Sequence, residues 1–146
     1  SLHAWILTIL TLLQVFMGTK VREQIDAIAL QTTDRSQWID LLSGIYKTHS
    51  LFYYVLALLL VWLAFRLQPA LADNKRIARC MIGALLLLGA EVALGLTMHH
   101  LQVPAFAQPL HLLGATLLFA VEFLLAGMLG MGAVRYVRSE NVDTPK

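Results

Sequence analysis

Four long apolar runs constrain this chain more than any other feature of its sequence. They cover approximately residues 2–19, 45–65, 77–98 and 110–134. A helix needs about 20 residues to cross the hydrocarbon of a bilayer, with a tolerated range of roughly 17–25. Each run has this length, and none shows the alternating polarity of membrane barrel strands. The sequence therefore predicts an all-α integral membrane protein folded as a four-transmembrane-helix bundle.

The amino-acid composition agrees with a membrane protein. The chain is 58% hydrophobic and 14% charged, whereas soluble domains are roughly 45–50% apolar and about 25% charged. Its 146 residues predict a single domain, residues 1–146. A net charge of +2 is too small to suggest a nucleic-acid partner, and one cysteine, Cys80, is too few for a disulfide framework. The lipid bilayer is the first partner that the sequence indicates.

The distribution of Lys and Arg predicts the orientation of the bundle. One side of the membrane receives Arg66, Lys75, Arg76, Arg79, Arg135, Arg138 and Lys146. The other side receives Lys20, Arg22, Arg35 and Lys47. Because cytoplasmic segments are enriched in Lys and Arg, both termini are expected in the cytoplasm, with the protein in a bacterial inner membrane. The connections at about 19–44 and 99–109 then face the periplasm.

Two histidines within the apolar runs suggest a cofactor site. His49 lies about one turn inside the outer end of the second run, and His111 lies just inside the outer end of the fourth. Two neutral imidazoles at matched depth on different helices are what a six-coordinate haem requires. The alternative is that each is an interfacial histidine hydrogen-bonded to a neighbour. His99 and His100 are rival ligands, although their place at the water boundary favours solvated side chains.

Three other polar residues are candidates for the same region or for the bundle interior. Arg22 leaves the first run on the outer side, where its guanidinium suits a haem propionate; the alternative is a simple charged helix exit. Glu91 and Glu122 are expected to face the interior, because a carboxyl group at membrane depth is costly. We interpret both as carboxyl groups hydrogen-bonded between helices, with a proton or redox role as the alternative.

Three segments resemble motifs of the haem A synthase family. Residues 14–26, QVFMGTKVREQID, are similar to the family's Q-x-x-x-G-x-x-V-R segment. Residues 103–119, VPAFAQPLHLLGATLLF, resemble its V-P-x(6)-H-x(3)-A-x-L-L-F pattern. Residues 48–52, THSLF, resemble the other ligand helix. The resemblance covers essentially the whole chain, helix for helix.

The resemblance implies a function and a set of site residues. Members of the family usually have eight helices in two similar four-helix halves. One half oxidises the C8 methyl group of haem O toward the formyl group of haem A, for cytochrome oxidase assembly, and the other half holds haem b. Carried over to this chain, His49 and His111 are the axial ligands of the haem iron and Arg22 is a propionate partner.

The chain departs from the catalytic half of that family. The catalytic half usually has Glu three residues before its first ligand and Arg just after it, where this chain has Tyr46 and Ser50. The first outer connection also lacks the cysteine pair often found there. The chain therefore resembles the C-terminal, haem-b-binding half, as part of a haem A synthase-type oxidoreductase, and no catalytic residue is assigned in it.

The sequence leaves the assembly and two other function classes open. It begins at Ser1 without Met, so we expect either a portion of an eight-helix enzyme or a half-size relative that assembles with itself or with a second half. A b-type cytochrome, as a non-catalytic accessory subunit of a respiratory complex, is the second class. A cofactor-free structural or interaction subunit is the third. Respiratory complexes and cytochrome oxidase assembly factors are the expected protein partners.

Overall fold

The computed structural model describes the backbone of residues 1–143 and the side chains of residues 1–130. Its helices are α1 (Leu2–Ala29), α2 (Gly44–Arg66), the short α3 (Gln68–Asp73), α4 (Lys75–His100) and α5 (Ala107–Asp143), with a 3-10 turn at Arg35–Gln37. No strand occurs in this described part of the chain. The predicted all-α fold is confirmed.

Four of the helices are long and apolar enough to cross a membrane: α1, α2, α4 and α5 as far as Gly130. Much of the outward surface of the bundle is apolar, including the largely exposed side chains of Leu2, Ile9, Leu58 and Leu86. An exposed apolar surface of this extent is unusual for a soluble monomer, but lipid covers it without cost. The chain is therefore a multi-pass membrane protein.

The first helix is longer than the apolar run predicted. Residues 20–29 continue α1 instead of forming a loop, so the connection between α1 and α2 is residues 30–43. Two ion pairs join consecutive turns of this extension, Lys20 with Glu23 at 2.8 Å and Arg22 with Asp26 at 2.9 Å. Such pairs stabilise a helix surface. The opposite face buries Val21, Ile25 and Ile28, so the charged segment is amphipathic.

The other helix boundaries differ less from the prediction. The expected cytoplasmic connection contains α3, and the Asn74 side chain caps α4 by accepting hydrogen bonds from the backbone N–H groups of Arg76 and Ile77. Pro109 lies in the first turn of α5, where its missing N–H costs nothing. Helix α5 continues past the predicted end at residue 134. The side chains of Arg135, Arg138 and Lys146 lie outside the described residues.

The packing of the helices leaves one side of the bundle more open. Helix α1 packs against α2 and α5, and α5 packs against α4, whereas α2 and α4 meet much less closely. A large apolar core fills the predicted cytoplasmic end and includes Leu7, Leu60, Leu63, Met81 and Leu125. A smaller cluster of Val21, Ile25, Ile28, Trp38 and Val103 closes the other end. Side chains from both clusters line a cavity that lies between them.

Candidate functional site

The cavity has a volume of about 590 Å³ and is lined by α1, α2, α4, α5 and the connection 30–43. Small-molecule and cofactor sites typically have volumes of about 300–1,000 Å³ and are mostly apolar with a few converging polar groups. The polar side chains that line this one include those of Arg22, His49, Tyr53, Glu91 and His111. The cavity is therefore suited to a largely apolar ligand with a few polar attachment points.

The two predicted ligand histidines both line this cavity and lie close together. The ring centroids of His49 and His111 are 6.4 Å apart, and the ring planes are inclined by 87°. Two imidazoles that bind one metal from opposite sides have centroids about 6.3 Å apart, since each nitrogen lies about 2 Å from the metal and about 1.1 Å from its ring centre. The separation fits a bis-histidine centre, whereas the binding of iron itself stays a prediction.

The set of donors suits a metal that brings its own in-plane ligands. Within the described part of the chain, no group of three or more His, Cys, Asp or Glu side chains is arranged to hold a metal ion. A protein site for a bare zinc ion needs three or four protein ligands. A haem iron needs only axial ligands from the protein. Two histidines at this separation therefore fit haem better than a bare ion.

One face of α1 supports His49. The Gln14 side-chain amide donates a hydrogen bond to the His49 backbone carbonyl at 2.9 Å. A Cβ atom on Gly18 would lie 3.2 Å from His49 Cε1, so the ring packs closely on the bare backbone there. Residues 14, 18 and 22 are spaced by four and share a helix face. Gln14 and Gly18 both lie in the segment that resembles the family motif, but no role was expected for either; their spacing was the available signal.

Arg22 lines the cavity, as its predicted role requires. Its Nε donates to both carboxylate oxygens of Asp26, at 2.9 and 3.1 Å, and about half of its side chain is exposed. Because a guanidinium carries five N–H donors, pairing through Nε leaves capacity for an acidic group. Lys20, which pairs with Glu23, is not among the residues that line the cavity.

Two tyrosines of α2 bridge the open seam to α4. The Tyr46 hydroxyl lies 2.8 Å from His99 Nδ1, and the Tyr53 hydroxyl donates to the Leu88 carbonyl at 2.8 Å. His99 and His100 are exposed and line the cavity, with His99 held by this tyrosine. Tyr46 occupies the position at which the resemblance places a catalytic Glu. In this chain, the tyrosine at that position joins α2 to α4 through its contact with His99.

The two buried carboxyl groups have different surroundings. Glu91 and Glu122 are 4% and 2% exposed, which confirms the predicted interior positions. Glu91 lines the cavity, and its Oε2 lies 2.9 Å from His111 Nδ1. Glu122 is not among the lining residues and lies near Thr11 of α1. The sequence did not predict the Glu91–His111 contact, although a buried acid within a membrane commonly has a polar partner.

A cap formed by the connections at residues 30–43 and 101–106 covers the cavity end of the bundle. Arg35 Nη1 donates to the Val103 carbonyl at 2.8 Å, and the Arg35 guanidinium lies 5.0 Å from the Trp38 ring centre. Val103 is 2% exposed and has a φ of 56°, which is rare for a β-branched residue and unfavourable before a proline. The cap therefore holds Val103 in a strained backbone conformation.

The 3-10 turn of the cap is stabilised by Asp34. Its carboxylate accepts hydrogen bonds from the Ser36 hydroxyl at 2.6 Å, the Ser36 N–H at 3.0 Å and the Gln37 amide at 2.9 Å. These bonds, that of the Ser36 hydroxyl above all, hold the pKa of Asp34 below its usual range. Asp34 therefore stays ionised and keeps the turn in place at neutral pH.

The fold and the site together define a multi-pass helical membrane protein with two neighbouring histidines in a mostly apolar cavity. The model of the cytochrome oxidase assembly protein family matches residues 1–123. The chain belongs to this family, and its role lies in cytochrome oxidase assembly. The match confirms the resemblance to haem A synthases and includes every candidate site residue. No curated protein and no solved structure matches the chain.

Proposed function

We propose that this chain holds haem b between His49 and His111, as the bis-histidine half of a haem A synthase-type oxidoreductase that converts haem O to haem A. The observation that carries the proposal is the 6.4 Å separation of the two imidazole centroids within a mostly apolar cavity. A bound haem supplies reversible one-electron iron chemistry. Family membership supports the same assignment, because the family serves cytochrome oxidase assembly.

The residues around the cavity have distinct parts in this proposal. His49 and His111 hold the iron, and Gln14 and Gly18 set the position of His49. Arg22 binds a propionate at the outer end of the cavity, through donors not used by Asp26. Apolar side chains, including Leu56, Val92 and Leu118, line the remaining walls and exclude water.

The proposal assigns no catalytic residue to this chain. Tyr46 and Ser50 stand where the catalytic half has Glu and Arg, and the Tyr46 hydroxyl is engaged with His99. We therefore propose that haem O is oxidised in a second four-helix half or in a partner copy. The same observation favours the alternative function, a non-catalytic b-type cytochrome subunit of a respiratory complex.

We further propose that this chain lies in a bacterial inner membrane with both of its termini in the cytoplasm. Arg66 and the basic start of α4, with Lys75, Arg76 and Arg79, lie at the end of the bundle away from the cavity. The enrichment of cytoplasmic segments in Lys and Arg supports this orientation. The cavity and its cap then lie toward the periplasm.

The haem spectrum of the purified chain tests the proposal. We expect the pyridine haemochrome of haem B from the wild type, and its loss from His49→Ala and from His111→Ala. His3→Ala is the matched control, because His3 packs against Trp62 at the other end of the bundle and should leave the spectrum unchanged. Wild-type protein that takes up no haem B under reconstitution would contradict the proposal.

Addition of haem O distinguishes a haem A synthase from a b-type accessory subunit. Membranes that contain this chain together with its catalytic half should convert added haem O to haem A, and His111→Ala should abolish the conversion. A b-type accessory subunit would retain haem B and leave haem O unchanged in the same membranes.

A further inference from the structure

The carboxyl group of Glu91 is placed to act on His111. Glu91 Oε2 lies 2.9 Å from His111 Nδ1, and the Glu91 side chain is only 4% exposed. Taking a carboxyl group out of water is costly unless a partner compensates. The imidazole of His111, whose side chain is 23% exposed, lies within this distance of the buried carboxyl group, so the two side chains, from α4 and α5, form one polar unit in the bundle.

Helix α5 makes room for this carboxyl group one turn after His111. A Cβ atom built on Gly114 would collide with Glu91 Oε1. Gly114 therefore forms a notch in which the carboxyl group sits beside the α5 backbone. The same short segment of α5 provides both the histidine and the space for its acidic neighbour, which keeps the carboxyl group on the Nδ1 side of the ring.

Metal-binding histidines commonly have such a neighbour. A histidine that binds a metal through one nitrogen usually donates the other N–H to a carboxylate, which sets the tautomer and raises the basicity of the ring. The distance between Glu91 and His111 is that of a hydrogen bond, although the two groups are not aligned. Contacts of this kind often become aligned when the ligand binds.

We infer that Glu91 is a positioning residue for His111: its carboxylate accepts a hydrogen bond from the Nδ1–H group, which leaves Nε2 free to bind the haem iron. The inference rests on the proposed haem site. It also makes the two ligands unequal: neither Nδ1 atom has an aligned hydrogen bond, but among the described residues only that of His111 has a carboxylate oxygen beside it, at 2.9 Å. His111 is then the more basic ligand, and its ring orientation is set by α4 as well as by α5.

Removal of the acidic group from the full-length, haem-loaded chain is the first test. Glu91→Gln keeps the size but is a weaker acceptor, so we expect roughly tenfold weaker haem retention. The midpoint potential should rise, because a less basic ligand favours ferric iron less. A tenfold change in the ratio of ferric to ferrous affinity corresponds to about 59 mV. Glu122→Gln is the control, since Glu122 is equally buried but does not line the cavity.

A second variant tests the position of the carboxyl group without altering any charge. Gly114→Ala should displace Glu91 from its notch and raise the midpoint potential in the same direction as Glu91→Gln. Gly127→Ala on the same helix is the control, because a Cβ atom there meets nothing within 4 Å. Agreement of both variants, with silent controls, supports the positioning role.

Nitrogen-15 NMR of the haem-free, full-length chain with labelled histidines supplies a readout that does not need haem. The wild type should show the proton of His111 on Nδ1, and Glu91→Gln should shift it toward Nε2. Unchanged tautomer, potential and haem retention in Glu91→Gln, with haem lost in His111→Ala, would overturn the role of Glu91 and leave the haem site standing. A wild type that takes up no haem would overturn the proposed function, while the NMR comparison still decides whether Glu91 sets the tautomer.

Discussion

Gln14 on α1 donates a hydrogen bond to the backbone carbonyl of His49 on α2, at 2.9 Å. One turn further along α1, Gly18 lies against the ring of the same histidine. A single face of α1 therefore contacts both the backbone and the ring of His49, and it positions this side chain in the cavity.

Gln14→Met should destabilise the bundle and loosen His49. The change removes the side-chain amide that donates to the His49 carbonyl. Hydrogen bonds between membrane helices contribute about 0.6 kcal/mol on average. We expect a loss of about 0.5–1 kcal/mol, measured by thermal unfolding in detergent, together with weaker haem retention. Gln31→Met, at an exposed position after α1, should change neither quantity.

Gly18→Ala should weaken haem binding without unfolding the protein. The new methyl group lies 3.2 Å from His49 Cε1, so the ring must move by a few tenths of an ångström. A larger side chain, in Gly18→Val, should prevent haem binding. Gly83→Ala on α4 is the control, because a Cβ atom there meets nothing within 4 Å. Equal haem content in Gly18→Val and the wild type would contradict the assignment of His49.

Arg22→Ala should lower haem affinity more than Lys20→Ala does. Both changes remove one positive charge from the same turn of α1, but only Arg22 lines the cavity. A charge-assisted hydrogen bond contributes about 1.5–3 kcal/mol, so we expect at least about a tenfold loss of affinity for Arg22→Ala. Haem transfer to apomyoglobin measures it. Equal losses for the two variants would indicate a general effect of charge instead of a propionate contact.

Gln102→Gly should stabilise the cap. Gln102 has a φ of 56° and an exposed side chain, so glycine removes a steric cost of about 1–2 kcal/mol and loses no buried group. Glycine has greater backbone freedom in the unfolded chain, and this offsets about 0.5–1 kcal/mol of that stabilisation. We expect a net increase of a few tenths to about 1 kcal/mol. Slower hydrogen exchange in residues 101–106 would confirm it, and Gln31→Gly should show no gain.

Some of this architecture could be predicted from the sequence, and some could not. Hydropathy located the four spanning helices because lipid requires about 20 apolar residues in each. The hydropathy pattern predicted that α1 ends at residue 19, however, because the hydropathy of residues 20–26 is low. The ion pairs and the buried Val21–Ile25 face that extend the helix depend on side-chain partners, which a hydropathy average does not include.

The candidate site was predicted in the same partial way. His49 and His111 were expected at one depth, since each lies near the outer end of its run, and the structure brings their rings together. The contact of Glu91 with His111 was not expected, although Glu91 was placed in the interior. Its position beside the ring depends on the rotation of α4 relative to α5 and on the space at Gly114.

The sequence by itself determined the membrane location, the number of spanning helices and the family, because these depend on composition, on run length and on motifs read along one chain. The tertiary structure decided which side chains meet: Gln14 with His49, Tyr46 with His99, Arg35 with Val103, and Glu91 with His111. Each of these pairs joins elements that are distant in the chain. Their meeting depends on how the helices rotate and pack, which is a property of the whole bundle and not of any one segment.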